Sequence, residues 1–190
     1  MRIRAVKGIR NARYLENGAV DCEVLFEGEE EFIPYTAMQD DSAPTGRRIW
    51  EELQSGKWGE IAPFTVTPEL IAAVKEGKKR EIEAWRREQE VQPFTFEWNG
   101  HTWNAGPASL ARLSPVTVAA KAENARDVLV WGDASNQQVH MTMAQAGELA
   151  AAMAQASMDR NNEIYLRQRE MKEALENLGD FGSIRAFNVE

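Results

Sequence analysis

The chain has 190 residues, with 30 acidic against 22 basic side chains and a net charge of −8. That balance argues against a nucleic-acid partner, which calls for a basic stripe and an excess of positive charge. No charged leader with an apolar centre opens the chain, and no apolar run approaches the ~20 residues of a membrane span, so a soluble, cytoplasmic protein is expected. One cysteine, Cys22, cannot form an internal bridge, and the length suffices to bury a core without metal or disulfide.

Residues 1–36 read as a small antiparallel sheet. Asn17-Gly18 falls between two strand-like runs, a strong hairpin signal. In the second run Val20, Cys22, Val24 and Phe26 alternate with Asp21, Glu23 and Leu25, which makes the Cys22 thiol half-buried and inert. "FEGEEEF" supplies another turn and "FIPYTA" a third strand. Pro34 has no N–H to give a ladder, so that strand is an edge.

"DDSAPTGRRIW" then carries helix-start signals. Asp41 is placed to cap a helix over 42–55, with Pro44 in its first turn. Gly46, Ile49, Trp50 and Leu53 share one face, while Arg47 and Arg48 sit four residues before Glu51 and Glu52 on the other. Gly56 stops it. No glycine-rich phosphate cradle precedes the arginines, so their face reads as solvated rather than anion-binding.

Thr67 and Pro68 open a second helix to about Gln89. Its apolar positions are sparse (Ile71, Val74, Ile82 and Trp85), and Lys78 stands where a heptad wants an apolar residue. An exposed connecting helix over 67–92 is favoured above a helix–helix seam. It would join an N-terminal β-rich module, 1–66, to a C-terminal α+β domain, 93–190, with the boundary inside the helix or at Pro93. Gly77 is a weak point at its middle.

"FTFEWNGHTWNA" predicts a hairpin on Asn99-Gly100 that pairs Trp98 with His101, Phe96 with Trp103 and Phe94 with Ala105. Every aromatic and His101 then share one face. Ser114 and Pro115 open a short helix to about Asn124, and "DVLVWGDASNQQVHMT" reads as a further hairpin. Thr142 and Gln145 make a capping box for a helix to Leu178, ended by Gly179. Its middle, "SMDRNNEIYLRQRE", is too polar for continuous burial, so the helix projects or finds a second partner; a homo-oligomer through the long helices is one such partner. Phe181, Ile184 and Phe187 give the tail something to dock with. The fold class is α+β: a small N-terminal antiparallel sheet with a helix, a connecting helix, and a hairpin-plus-helix domain ending in a long helix.

No catalytic, metal or cofactor constellation emerges. His101 and His140 lack a second ligand at metal spacing, and no CxxC, HExxH or G-x-S-x-G occurs. An enzyme is the least favoured reading. Aromatics remain: six tryptophans against three tyrosines. Most serve the core, but two small interiors leave room for one or two rings at a partner surface. Trp58, in the loop after Lys57, comes first and Trp85, on the sparse helix, second. The edge strand adds Phe32, Ile33 and Tyr35.

"DCEVLFEGEEEFIPYTAMQDDSAPTGRRIWEELQSGKWGEIAPF" resembles the N-terminal module of bacteriophage and prophage tail fibre assembly proteins. The matching residues are Pro34-Tyr35-Thr36-Ala37, Asp40-Asp41, Gly46-Arg47 and Gly56-Lys57-Trp58-Gly59; Pro44 departs from a usual acid. From Pro93 to about Leu178 the chain is similar to a domain of unknown function often attached to such proteins. The resemblance implies a chaperone, active without ATP and without cofactor, that helps the C-terminal, receptor-binding region of a trimeric tail fibre to fold. The alternative it implies is a structural component retained at the fibre tip on the particle.

Overall fold

The structure, a computed structural model, describes residues 3–122 and 127–190. It divides into two compact units, Met1–Thr67 and Pro68–Glu190. In the first, β1 (Val6–Tyr14), β2 (Val20–Phe26) and β3 (Ile33–Ala37) make an antiparallel sheet in the order β1-β2-β3. The alternation along β2 buries Val20, Cys22, Val24 and Phe26 on one face. Helix α1 (Pro44–Gln54) covers that face with Ile49 and Leu53. Both the edge position of β3 and the half-polar alternation are as expected.

The hairpin between β1 and β2 has a longer loop than Asn17-Gly18 alone. Leu15 N–H donates to the Ala19 carbonyl at 2.8 Å, leaving three residues between them, and Gly18 takes the left-handed conformation at φ 84°. A three-residue loop closed by a left-handed glycine is the next most common hairpin after the two-residue turn. β1 also carries a register shift between Arg10 and Arg13, with Asn11 at φ 55°.

In the second unit α2 (Pro68–Val91) leads to the hairpin β4 (Phe94–Trp98) and β5 (His101–Ala105), then α3 (Pro107–Ala119). A second hairpin, β6 (Val128–Gly132) and β7 (Gln138–Thr142), feeds α4 (Met143–Glu176) and the short α5 (Phe181–Ala186). The β4–β5 register pairs Phe94 with Ala105, Phe96 with Trp103 and Trp98 with His101, as the turn dictated. Thr142 and Gln145 close both halves of the capping box.

Two cores lie along α4. Near its start, Ala146, Leu149 and Met153 meet Trp103 and Ala105 of β5, Leu113 of α3 and Met141 of β7. Near its end, Met171 and Leu175 meet Val74 and Ile82 of α2 and Ile184 of α5. The docked tail is therefore as expected.

Three expectations are corrected. Helix α2 is not an exposed connector: it runs antiparallel to the second half of α4, and the division between units falls at Thr67, ahead of the helix. Its thin apolar stripe is completed by polar contacts, Arg86 Nη1 to Gln168 Oε1 at 2.9 Å, Lys75 Nζ to the Glu176 carbonyl at 3.1 Å and an ion pair of Lys172 with Glu83. Helix α3 begins at Pro107, not Ser114, and carries Pro115 inside it; its expected end near Asn124 lies outside the described residues. Gly106, at φ 112°, makes the entry, where a Cβ would sit 3.2 Å from the Gln92 carbonyl oxygen. Pro115 removes one helical bond, which the burial of Leu113 and the packing of Leu110 and Val116 offset. Lastly, α4 ends at Glu176 and Gly179 is not left-handed.

Candidate functional site

The expected partner-binding residues Phe32, Ile33 and Tyr35 lie on or beside β3, the outer strand of the N-terminal sheet. Among the described residues nothing pairs with its far side. The opposite edge is different: Tyr14 N–H donates to the Ala62 carbonyl at 2.8 Å and Ala62 N–H to the Ala12 carbonyl at 2.9 Å, so the chain's own exit segment closes part of β1. One edge is covered over Ala12–Tyr14, and the other is open along its length.

A lock holds β3 to α1. Tyr35 Oη donates to Asp41 Oδ2 at 3.0 Å, and Asp41 Oδ1 accepts the Ala43 N–H at 2.8 Å. The Asp41 carboxylate lies where a Cβ on Gly46 would be, 1.9 Å from Oδ2 and 2.6 Å from Tyr35 Oη. Arg47 Nη1 donates to the carbonyls of Asp41 and Ser42 at 2.9 and 3.0 Å. Asp41 therefore does not cap the helix, whose N-cap is Ala43, and Arg47 does not pair with Glu51. Burial raises the Tyr35 hydroxyl pKa, reinforced by Asp41, so the tyrosine stays a donor. The short sequence Tyr35–Asp41–Gly46–Arg47 is one interlocked object that fixes where β3 turns into α1.

Around this frame, Ile33 is 40% exposed and Met38, just past the strand, 45%. Phe32 is half-buried, its ring over Gly8 and under the Arg10 guanidinium at 4.1 Å. The outer face of the sheet holds a polar cleft of about 490 Å³ running from Asn11 and Arg13 to Pro34 and Thr36. Its charged side chains have partners: Arg13 Nη2 lies 3.6 Å from Asp21, which also accepts from Thr36 Oγ1 at 2.7 Å, and Glu23 takes Arg10 Nε from beside the cleft at 2.5 Å.

The aromatic surplus is smaller than expected. None of the six tryptophans is exposed. Trp58 packs against the first core and its Nε1–H donates to Glu52 Oε2 at 2.8 Å, while Lys57 lies over the ring. Glu52 also takes Arg48 at 3.1 Å; burial raises its pKa, but the Trp58, Arg48 and Lys57 contacts outweigh that and lower it. Trp85 packs into the core shared by α2, α4 and α5. Trp103 is fully buried and the other five indoles are partly buried, each with one side on a core.

In the second unit, His101 Nδ1 lies 3.0 Å from Asp133 Oδ2. Oδ1 of the same aspartate accepts the amides of Ser135 and Gln137, both at 2.9 Å. Those contacts, the Gln137 amide foremost and then the histidine, hold the Asp133 carboxyl below its usual range. Sequence reading missed this tie between the two hairpins, although Asp133 followed by Ser135 is a recognisable Asx-turn pattern. His140 is exposed on β7, opposite Val130. Burial, then the Asp21 charge, pushes the Cys22 thiol up to about 11, so it is no nucleophile at neutral pH. No cluster of three or more metal-ligating side chains, and no helix long and apolar enough to cross a membrane, occurs among the described residues.

Residues 73–188 match a family described as Domain of unknown function (DUF4376). The chain belongs to this family. The DUF4376 region starts in the second turn of α2, earlier than Pro93, and takes in both cores along α4, in agreement with the packing of α2 there. The β3 edge lies outside it. No curated protein and no solved structure matches the chain.

Proposed function

We propose that this protein is an assembly chaperone for a phage tail fibre, binding the fibre's C-terminal region stoichiometrically and without ATP in the host cytoplasm. The observation that carries this reading is the open β3 edge, set opposite a β1 edge that the chain itself covers over Ala12–Tyr14. Fibre tips are built from non-local β pairing, which forms slowly and leaves strand edges and apolar surface exposed meanwhile. An edge strand accepts a partner strand through main-chain bonds, with neighbouring side chains setting specificity. Ile33 and Met38 supply apolar contacts beside that edge; Phe32 and Tyr35 hold the strand in place. Binding that favours the unfinished fibre over its aggregates shifts the outcome by mass action, with no chemical step. The resemblance of about residues 20–64 to tail fibre assembly proteins agrees with this, since its signature residues build the lock that presents β3.

The test is co-expression with the C-terminal region of the cognate fibre. Soluble, trimeric fibre is expected to increase and a complex to survive gel filtration. Ile33→Lys puts a charge at the open edge, the means natural edge strands use to refuse partners. It is expected to weaken the complex at least tenfold by titration while the melting temperature of the free protein stays the same. Unchanged fibre solubility with the wild-type protein overturns the proposal. Recovery of the protein at fibre stoichiometry on purified particles would assign it instead to the fibre tip.

A further inference from the structure

The solvent side of α4 carries a second pattern. Gln155, Met158, Asn162, Tyr165 and Arg169 follow one another at spacings of three and four, which places them on a single stripe of the helix. The stripe lies opposite the buried Ile164, Gln168 and Met171. Met158 is 66% exposed, Leu166 51% and Tyr165, whose ring has the Arg86 guanidinium of α2 at 5.8 Å, 42%, a concentration of apolar area on a segment otherwise made of charges and amides. Its charges are also under-used. Among the described residues Arg169 has no ion pair, and Asp159 Oδ1 accepts from Gln155 Nε2 at 3.2 Å.

We propose that this face docks on the same face of a second copy of the chain, with the two α4 helices antiparallel and Asn162 on the two-fold axis. That arrangement sets Met158 of each copy against Leu166 of the other and Tyr165 level with Asp159. Arg169 then stands four residues from the opposing Asp159, about 6 Å along the axis. A parallel pairing would stack Arg169 on Arg169 and spread the apolar residues against themselves. Charge thus selects the antiparallel form, and a two-fold contact of one patch with itself closes at two copies. A paired asparagine at the centre of such a seam fixes its register. The patch is small compared with a permanent interface, so monomer and dimer are in a concentration-dependent equilibrium.

Sedimentation equilibrium over roughly 1–200 µM is expected to show the mass rising from 21.4 kDa towards twice that value. Met158→Glu is expected to hold it at the monomer value while the circular dichroism melt is unchanged. Under mild oxidation Asn162→Cys is expected to give a disulfide-linked dimer at least tenfold faster than Ala174→Cys, which lies off the stripe; the native thiol is buried and does not compete. Mixing Met158→Cys with Leu166→Cys is expected to give the mixed dimer in preference to either homodimer. A monomer across the whole concentration range, equal rates at 162 and 174, a dimer indifferent to Met158→Glu, or preferred homodimers in the mixing test would each overturn the proposal.

Discussion

The absent side chain of Gly46 is as important to the N-terminal unit as any side chain present. It leaves the space that the Asp41 carboxylate fills, and that carboxylate in turn holds Tyr35 and the entry to α1. Gly46→Ala is expected to destabilise the first unit by about 1–3 kcal/mol, because the new methyl group must displace a hydrogen-bonded acid. The double change Asp41→Gly with Gly46→Ala removes the clash with the carboxylate, leaving only the Tyr35 hydroxyl at 2.6 Å to give way, and is expected to cost less than the sum of the two single changes, measured by denaturant titration. Additivity would show that Gly46 and Asp41 do not share the space. The sequence makes Gly46 legible as a member of the packed face of α1. It hides the carboxylate folded onto it, since Asp41 sits on the far side of a proline turn and its reach is a matter of tertiary geometry.

At the scale of elements, local signals and long-range ones separate cleanly. The β4–β5 register was readable because Asn99-Gly100 fixes the turn and the two-residue period does the rest. The role of α2 was not, because half of its face is polar and its partners lie far along the chain in α4. Lys78, which looked like a gap in the stripe, keeps its stem covered and reaches Glu81 at the surface. Gly77 lies within the helix with nothing near its missing side chain. Gly77→Ala is therefore expected to raise the stability of the second unit by up to about 1 kcal/mol, read as a higher melting temperature. Ile184, fully buried where α5 closes over α2 and α4, is the converse case. Its replacement by alanine is expected to cost about 2–5 kcal/mol, and a smaller loss would mean that the tail is not docked as described.

For the whole molecule, acid is the informative variable. The net charge of −8 disappears near the sequence isoelectric point of about 5.0, where solubility is expected to pass through a minimum. Further acidification acts on folding. Glu52 in the first unit and Asp133 in the second both have lowered folded-state pKa values. A depressed carboxyl stabilises the fold above its unfolded pKa, and the contribution is lost as pH falls through the folded value. Melting temperature should therefore hold from neutrality down to the ordinary carboxylate range, about pH 4, and drop below it. Asp133→Asn should flatten that drop in the second unit; an unchanged acid limb would remove Asp133 from the account. The α+β class, the edge strand and the long capped helix were all legible from local pattern. Which aromatic rings remained for a partner was not, because six indoles could be counted but the area available to roof them could not.

The 34 residues of α4 form one uninterrupted rod, about 50 Å from end to end. Its first half is clad by two hairpins and α3, its second by α2 and α5. Stripping the cladding from either half leaves the rod with a bare flank that water must solvate, so neither half gains by loosening alone. Heat should dismantle this unit in a single calorimetric step, its two cores yoked through a shared spine.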